Sequence, residues 1–184
     1  MSDEEALARR LRDRDPEAWA GVYEECFPRV YRYVAARVRD RADAEDLAER
    51  VFLKALESCS SFKWKGAPVS AWLFQIARNQ IIDHRRTDKS GRSLPLDEGI
   101  ASDADGPEEL VERSWEVRRA IEAVGQLTPA QRDVIELRFA GELSTAEVAG
   151  ILGKTEGAVK VLQHSALAKL RKRLGSRGDD GRHD

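Results

Sequence analysis

Basic and aromatic side chains are concentrated in two stretches of the chain, and both stretches suit nucleic-acid binding. In the first, Lys63, Trp64 and Lys65 stand side by side before Gly66. Lysines can neutralise phosphates, and an indole ring can stack on an unpaired base, which returns roughly 1–3 kcal/mol per base. A helical pattern follows, with polar residues repeated at an interval of seven that places them in two adjacent rows on one helix. These residues are Arg78, Asn79, Arg85 and Arg86.

The second basic stretch covers residues 158–174, which hold five basic residues and no acidic one. Residues 93–113 lie between the two stretches and carry seven acids against one base. The formal net charge of −2 therefore conceals two basic segments separated by an acidic one. For a chain that binds DNA, the position of the charge matters more than its sum.

The basic C-terminal stretch belongs to a predicted helix-turn-helix. A short helix over residues 144–153 is followed by a turn at residues 154–157 and by a longer basic helix. In this motif the start of the second helix enters the major groove, and the first helix crosses the DNA backbone. The alternative is a plain helical hairpin whose basic residues form a solvated face. The candidate upstream DNA contacts are Ser144, Thr155, Glu156, Lys160, Gln163, His164 and Lys169.

Helix-start signals recur along the chain, and the apolar residues keep helical spacing throughout. Capping boxes are expected at Ser2–Glu5, Thr128–Gln131 and Ser144–Glu147, and Asp15 precedes a proline suited to the first helical position. We expect Asp43 and Ser70 to cap the helices that follow them, and Pro28 to interrupt or restart its helix. No segment shows strand periodicity. The pattern predicts an all-α protein made of two small helical bundles joined by a flexible linker.

The predicted boundaries follow the changes in composition. Residues 1–86 form the N-terminal bundle, and residues 87–106, rich in glycine and acids, form a flexible acidic linker. Residues 107–175 form the C-terminal helix-turn-helix bundle, in which a first helix is expected over residues 107–124. Residues 176–184 are polar and are expected to be disordered.

Composition excludes several classes of protein. Hydrophobic residues make up 41% and charged residues 35% of the 184 residues, which is typical of a globular chain. No apolar run reaches the length of about 20 residues that spans a bilayer, and the acidic N-terminus is unlike a signal peptide, so we expect a cytoplasmic protein without membrane insertion. Cys26 and Cys59 are too few for a disulfide framework or a zinc site. Without a nucleotide loop, metal cluster or activated nucleophile, the sequence predicts no enzyme, no catalytic residue, no metal and no cofactor.

The motifs resemble the extracytoplasmic-function (ECF) subfamily of the bacterial sigma-70 family of RNA polymerase sigma factors. Leu127–Arg138 looks like the opening of sigma region 4, and Ser144–Ala149 with Gly157–His164 resembles its helix-turn-helix. Asp43–Leu56 is similar to the family's polymerase-binding helix. Phe62–Gly66 and the helix after it resemble the segment that melts and reads the downstream promoter element.

The resemblance implies an alternative sigma factor that binds core RNA polymerase and directs promoter-specific initiation. It implies contacts with the clamp helices of the largest subunit, with the flap of the second-largest subunit and with promoter DNA, and often regulation by an anti-sigma factor. The implied polymerase-binding residues are Asp43, Asp46, Glu49, Arg50 and Phe52. The downstream-element residues would be Lys63, Trp64, Lys65, Arg78, Asn79, Arg85 and Arg86. The acids at the start of the Asp43–Leu56 helix also complement the dipole of that helix, and this alternative explanation requires no binding partner.

An alternative function is a stand-alone helix-turn-helix regulator whose N-terminal bundle senses a ligand or dimerises. Such a regulator would bind its DNA site tightly without polymerase. Two DNA-reading bundles instead imply two DNA elements, roughly 60–70 Å apart if they lie nearly two helical turns from each other. A relaxed linker of about 20 residues spans only about 25 Å, so polymerase would have to fix the spacing.

Overall fold

The computed structural model describes residues 2–38, 40–64, 66–88 and 117–175. Within these ranges the chain forms eight α-helices, and no strand occurs. This confirms the all-helical prediction. The predicted tail, nearly all of the predicted linker and the start of the first C-terminal helix lie outside the described residues.

The N-terminal unit contains four helices and one 3₁₀ turn. In order they are α1 (Asp3–Arg12), α2 (Pro16–Ala35), α3 (Arg41–Ser58), the 3₁₀ turn (Cys59–Ser61) and α4 (Val69–Asp88). Ser2 accepts a hydrogen bond from the Glu5 amide, and Asp15 accepts from the amides of Glu17 and Ala18. The N-caps at Ser2 and Asp15 are therefore present. The last helix extends two residues past the predicted boundary at residue 86.

Pro28 does not interrupt its helix, contrary to the sequence prediction. α2 runs for 20 residues through Pro28, which faces solvent. A proline removes one hydrogen bond and crowds the preceding turn. Cys26 and Val30 on either side are both buried, and the packing of this face keeps the helix continuous.

The predicted caps of α3 and α4 were wrong, for two different reasons. Asp40 caps α3 by accepting from the Asp43 amide, so the helix begins one turn earlier than expected. At the start of α4, the carboxylate of Glu4 accepts from the Val69 amide at 3.0 Å. Ser70 already lies inside the helix, and its hydroxyl donates to the carboxylate of Glu147 instead.

The C-terminal unit contains the other four helices. They are α5 (described over 117–125), α6 (Pro129–Ile135), α7 (Thr145–Leu152) and α8 (Glu156–Gly175), with a single π-helical turn at Glu136–Ala140. Capping boxes are complete at Thr128–Gln131 and Ser144–Glu147, as predicted. α6 and α7 therefore start where the local sequence places them.

The two units pack against each other. Buried residues of α2, α3 and α4 form one continuous cluster with buried residues of the C-terminal unit, including Leu137, Leu143 and Val148. A smaller cluster of Leu127, Ile135 and Ala166 lies within the C-terminal unit alone. The main core thus extends across the boundary between the units.

Candidate nucleic-acid interface

The turn between α7 and α8 has the geometry of a helix-turn-helix. Gly153 ends α7 with a φ of +62°, a left-handed conformation that favours glycine. Thr155 then accepts a hydrogen bond from the Ala158 amide at 3.2 Å and so caps α8. This Thr155 hydroxyl is occupied by its own helix. The first two turns of α8 thus keep one side exposed, while Val159 on the other side is fully buried in the core.

The exposed side of α8 forms a continuous surface, which we call the recognition face. Its members recur at an interval of four with one neighbour added, so they lie along one side of the helix. They are Glu156, Lys160, Val161 and His164, all of them exposed. Val161 is 69% exposed and was missed as a site residue. An exposed valine close to the buried Val159 indicates a binding residue, because apolar side chains can contact thymine methyl groups in the major groove.

The other three predicted residues of this unit do not lie freely on the recognition face. Lys169 is nine residues after Lys160, so the two side chains lie on opposite sides of α8. The ammonium of Lys169 donates to Gln131 at 3.0 Å. Gln163 is half-buried and accepts from Arg138 at 3.2 Å. Ser144 caps α7 and exchanges hydrogen bonds with Glu147. All three position the helices of the motif.

On α4 the predicted polar residues form two rows, as the interval of seven indicated. The outer row, Asn79 and Arg86, is exposed to solvent. The inner row, Arg78 and Arg85, points towards the junction between the units. Arg78 lies 3.5 Å from the carboxylate of Asp133, and Arg85 donates to the backbone carbonyl of Arg37 at 3.5 Å.

The inner row lies among both cations and anions. Burial and then the nearby charge of Arg37 lower the pKa of Arg85, whereas the carboxylates of Glu136 and Asp133 act in the opposite direction.

The loop before α4 carries two half-buried aromatic residues and an exposed lysine. Phe62 stacks on Trp72 with ring centroids 4.3 Å apart, and both rings are half-buried against the core. Trp64 is also half-buried, and its indole Nε1 has no hydrogen-bond partner among the described residues. Lys63 is exposed, whereas Lys65 lies outside the described residues. The loop thus offers one cation beside the edge of an anchored indole.

The exposed side of α3 combines charged and apolar residues. Asp43, Asp46, Glu49 and Arg50 are all exposed, and Asp46 pairs with Arg50 at 2.8 Å. Phe52 is only 7% exposed and supports the ring of Tyr23, with centroids 4.9 Å apart. We call the exposed Tyr23, Leu53 and Leu56 the apolar patch of α2 and α3.

The apolar patch was not predicted as a site from the sequence, although the position of Leu53 in α3 could have indicated it. It lies off the periodic stripe of α3 and is 60% exposed. Exposed apolar residues clustered within a charged surface are typical of a protein-binding site. Phe52 contributes to this site by holding Tyr23 in place.

Other chemistry finds little support in the described residues. They contain no group of side chains arranged to hold a metal ion, and Cys26 and Cys59 are buried free thiols. Burial raises the pKa of Cys26 to about 11, so the thiol stays protonated and unreactive. Among the described helices, none has both the length and the apolarity needed to cross a membrane.

A helix-turn-helix unit packed on a second helical unit, with rows of polar and basic residues on α4, is typical of a DNA-binding transcription factor. The comparisons give its family. The family model for sigma-70 region 2 matches residues 22–91, and the model for sigma-70 region 4 matches residues 123–172. These matches correspond to the two units described above.

Similar proteins agree with these matches. The chain is 36% identical to the ECF RNA polymerase sigma factor BldN of Streptomyces coelicolor, over 91% of this chain and 64% of that protein. It is 34% identical to the ECF sigma factor SigD of Mycobacterium tuberculosis, over 90% of this chain and 81% of that protein. The fold is similar to that of CnrH in complex with the cytosolic domain of CnrY, with a TM-score of 0.72 at 21% identity, covering 96% of this chain and all of that chain.

The chain belongs to the ECF sigma factors of the sigma-70 family. It is a non-enzymatic factor that directs transcription initiation with RNA polymerase. Membership of this family decides against the stand-alone regulator.

Proposed function

We propose that this sigma factor reads two promoter elements, one with the recognition face of α8 and one with α4 and the loop before it, while α3 binds core polymerase in the cytoplasm. The recognition face carries the proposal, because it is the exposed side of a capped second helix behind a left-handed glycine turn. Four of the predicted upstream residues belong to that helix start or its cap, namely Thr155, Glu156, Lys160 and His164.

The upstream element is assigned to the recognition face on chemical grounds. Lys160 and His164 can donate to phosphates or to base acceptors, and Glu156 can accept from the amino group of cytosine. Val161 adds an apolar surface for a thymine methyl group. Such a face can specify sequence, which phosphate contacts alone cannot do.

The downstream element is assigned to α4 and to the loop at Lys63 and Trp64. The outer row of Asn79 and Arg86 can contact the backbone of a separated strand. The indole Nε1 of Trp64 is buried, so only the exposed part of its half-buried ring can contact an unstacked base. Arg78 and Arg85 join this surface once their protein partners are replaced by phosphate. Melted DNA is stabilised by this combination of cations and aromatic rings.

Core polymerase is assigned to α3 and to the apolar patch beside it. A mixed surface with a few large apolar residues and a charged rim suits a helical partner such as the clamp helices of the largest subunit. The C-terminal unit would bind the flap of the second-largest subunit. An anti-sigma factor is a further proposed partner, and it would compete for the same apolar patch.

Abortive transcription on a pool of promoter fragments tests the proposal. Purified core polymerase with this protein should initiate selectively on a subset of fragments, and core polymerase alone should not. Equal initiation on every fragment would contradict the proposal that this chain reads specific promoter elements.

Two matched variants separate the proposed surfaces. Leu53→Glu should weaken binding to core polymerase at least about tenfold, because it buries a charge in an apolar contact. Val161→Glu changes an equally exposed apolar residue in the other unit, and it should keep polymerase binding while losing upstream-element selectivity. Identical behaviour of the two variants would contradict the division of roles.

A further inference from the structure

Gln163 lies at the edge of the recognition face. It follows Lys160 by three residues and Glu156 by seven, so its side chain lies beside both of them on α8. Lys160 and Glu156 are exposed, whereas Gln163 is half-buried, and the fully buried Val159 lies farther round the same helix. A side chain at this edge can contact the protein with one end and DNA with the other.

The inner end of Gln163 is its amide oxygen. Oε1 accepts a hydrogen bond from Nε of Arg138 at 3.2 Å. A guanidinium carries donors and no acceptor, so the amide can turn only its oxygen towards Arg138. The donor is charged, which makes such a hydrogen bond roughly twice as strong as one between neutral groups. Rotation of the amide by half a turn would lose this bond and place two donors against each other. The orientation of the Gln163 amide is therefore fixed.

Arg138 is itself held by the backbone of its own unit. It lies in the π-helical turn Glu136–Ala140, and its guanidinium also donates to the carbonyl of Leu143. Leu143 is fully buried and directly precedes Ser144, the N-cap of α7. Arg138 thus joins the π-helical turn, the start of α7 and the edge of α8. The guanidinium cannot follow a rotation of the Gln163 amide without losing its bond to Leu143.

The outer end of Gln163 is its amino group. Among the described residues, Nε2 of Gln163 has no hydrogen-bond acceptor, and it is not one of the buried polar atoms left without a partner. The amino group therefore reaches solvent next to Lys160 and Glu156, with both of its N–H groups free to donate.

A glutamine with only its amino group free suits a different base from one whose whole amide is free. A free glutamine side chain pairs with adenine through both ends of the amide, because adenine presents the acceptor N7 beside the donor N6 amino group. Guanine presents two adjacent acceptors, N7 and O6. The amino group of Gln163 can donate to these guanine acceptors, whereas against adenine it would meet the N6 amino group, a second donor.

We infer that Arg138 is a positioning residue for base recognition, which holds the oxygen of Gln163 and so makes this side chain a reader of guanine instead of adenine in the upstream element. The inference rests on the proposed function, because it requires the recognition face to enter the major groove. It goes beyond that proposal by naming a base and the residue that determines it.

Isosteric replacement of Gln163 tests the inference. Gln163→Glu keeps one oxygen for Arg138 and replaces the outer amino group by a second oxygen, an acceptor that suits the amino group of cytosine. Reconstituted holoenzyme selects fragments from a promoter library randomised in the upstream element, and the selected fragments are sequenced. At one position, the guanine selected by the unaltered chain should give way to cytosine, with the ratio of guanine to cytosine falling at least about fivefold.

Removal of the guanidinium is the second test. Arg138→Met leaves the Gln163 amide free to rotate, so the ratio of adenine to guanine at the same position should increase about five- to tenfold. Gln131→Glu is the matched control, because Gln131 contacts Ser165 and Lys169 of α8 on the side away from the recognition face. Its effect should be confined to stability in urea denaturation, with every base preference unchanged.

The outcomes separate the inference from the proposed function. The inference is overturned if the unaltered holoenzyme selects an upstream sequence and Gln163→Glu selects the same one, or if the position that changes holds adenine for the unaltered chain. An equal change of base preference in Gln131→Glu would also overturn it. If the unaltered holoenzyme selects no upstream sequence at all, the proposed function itself is wrong. Should Arg138→Met fail to fold, Gln163→Glu still decides, because it leaves Arg138 in place.

Discussion

The N-terminal unit builds its core mainly from its own helices, whereas the C-terminal unit completes its core against its neighbour. Large side chains such as Tyr33, Leu73 and Ile81 are fully buried within the N-terminal unit or at its boundary. The C-terminal unit has one small cluster of its own, around Leu127, Ile135 and Ala166. Except for Ala123, its other buried apolar residues belong to the shared core.

This difference couples the stability of the C-terminal unit to its position. Because its own core is small, the C-terminal unit is stabilised by packing against the N-terminal unit. The shared core stabilises the C-terminal unit and shields its apolar side chains from solvent.

The largest expected effect is a loss of stability in Phe74→Ala. Removal of this buried ring should lower the free energy of unfolding by about 3–5 kcal/mol, because it leaves a cavity where α4 packs against Gly141 of the C-terminal unit. Urea denaturation measures the loss. Hydrogen exchange with mass spectrometry should show faster exchange in α7 as well as in α4.

Leu11→Ala is the matched control for this prediction. Leu11 is also fully buried, but it lies in α1, within the N-terminal unit. Its loss should cost about 2–5 kcal/mol and leave exchange in α7 closer to that of the unaltered chain. Equal effects of the two variants on α7 would show that the two units are one cooperative body, and the comparison would fail.

Much of the fold could be predicted because its signals are local. The capping boxes at Thr128–Gln131 and Ser144–Glu147 involve residues three apart, and both are present. The start of α4 could not be found this way, because its cap is Glu4, which is 65 residues distant. The course of α2 through Pro28 depends on packing rather than on the residue itself.

The candidate site was predictable only in part, for a related reason. The interval of seven correctly placed the two rows of α4, since spacing alone determines which side of a helix a residue occupies. That the inner row faces Asp133 depends on how two distant segments dock, which no local pattern encodes. The basic composition of α8 likewise did not reveal that Lys169 supports Gln131 while Lys160 is exposed.

A smaller effect is expected from Lys160→Ala, which tests whether the C-terminal unit separates binding from support. Loss of one phosphate contact should weaken binding to the upstream element about five- to tenfold and reduce the slope of log affinity against log salt by about one. Lys169→Ala is the control, with the same residue type on the opposite side of α8. It should leave the salt slope unchanged and lower the stability of the C-terminal unit instead.

The assay for these lysine variants is binding of the reconstituted holoenzyme to a promoter fragment over a range of salt concentrations. An unchanged slope for Lys160→Ala would remove this lysine from the interface. A reduced slope for Lys169→Ala would place DNA on the side of α8 that the structure shows packed against Gln131.

The smallest effect concerns Glu147, which joins the two units and caps α7. Burial opposes its charge, but hydrogen bonds from Ser144 and Ser70 outweigh this and lower the pKa of the carboxyl below its ordinary value. A carboxylate with a lowered native pKa stabilises the fold above its unfolded pKa, and this contribution is lost as pH falls through the native value. Glu147→Gln should therefore be less stable than the unaltered chain at pH 7, by about 0.5–1.5 kcal/mol. The gap should narrow in urea denaturation below about pH 4, because the unaltered chain then loses the same charge. A gap that stays constant with pH would mean that Glu147 acts through its shape alone, and that its charge contributes nothing to the coupling between the units.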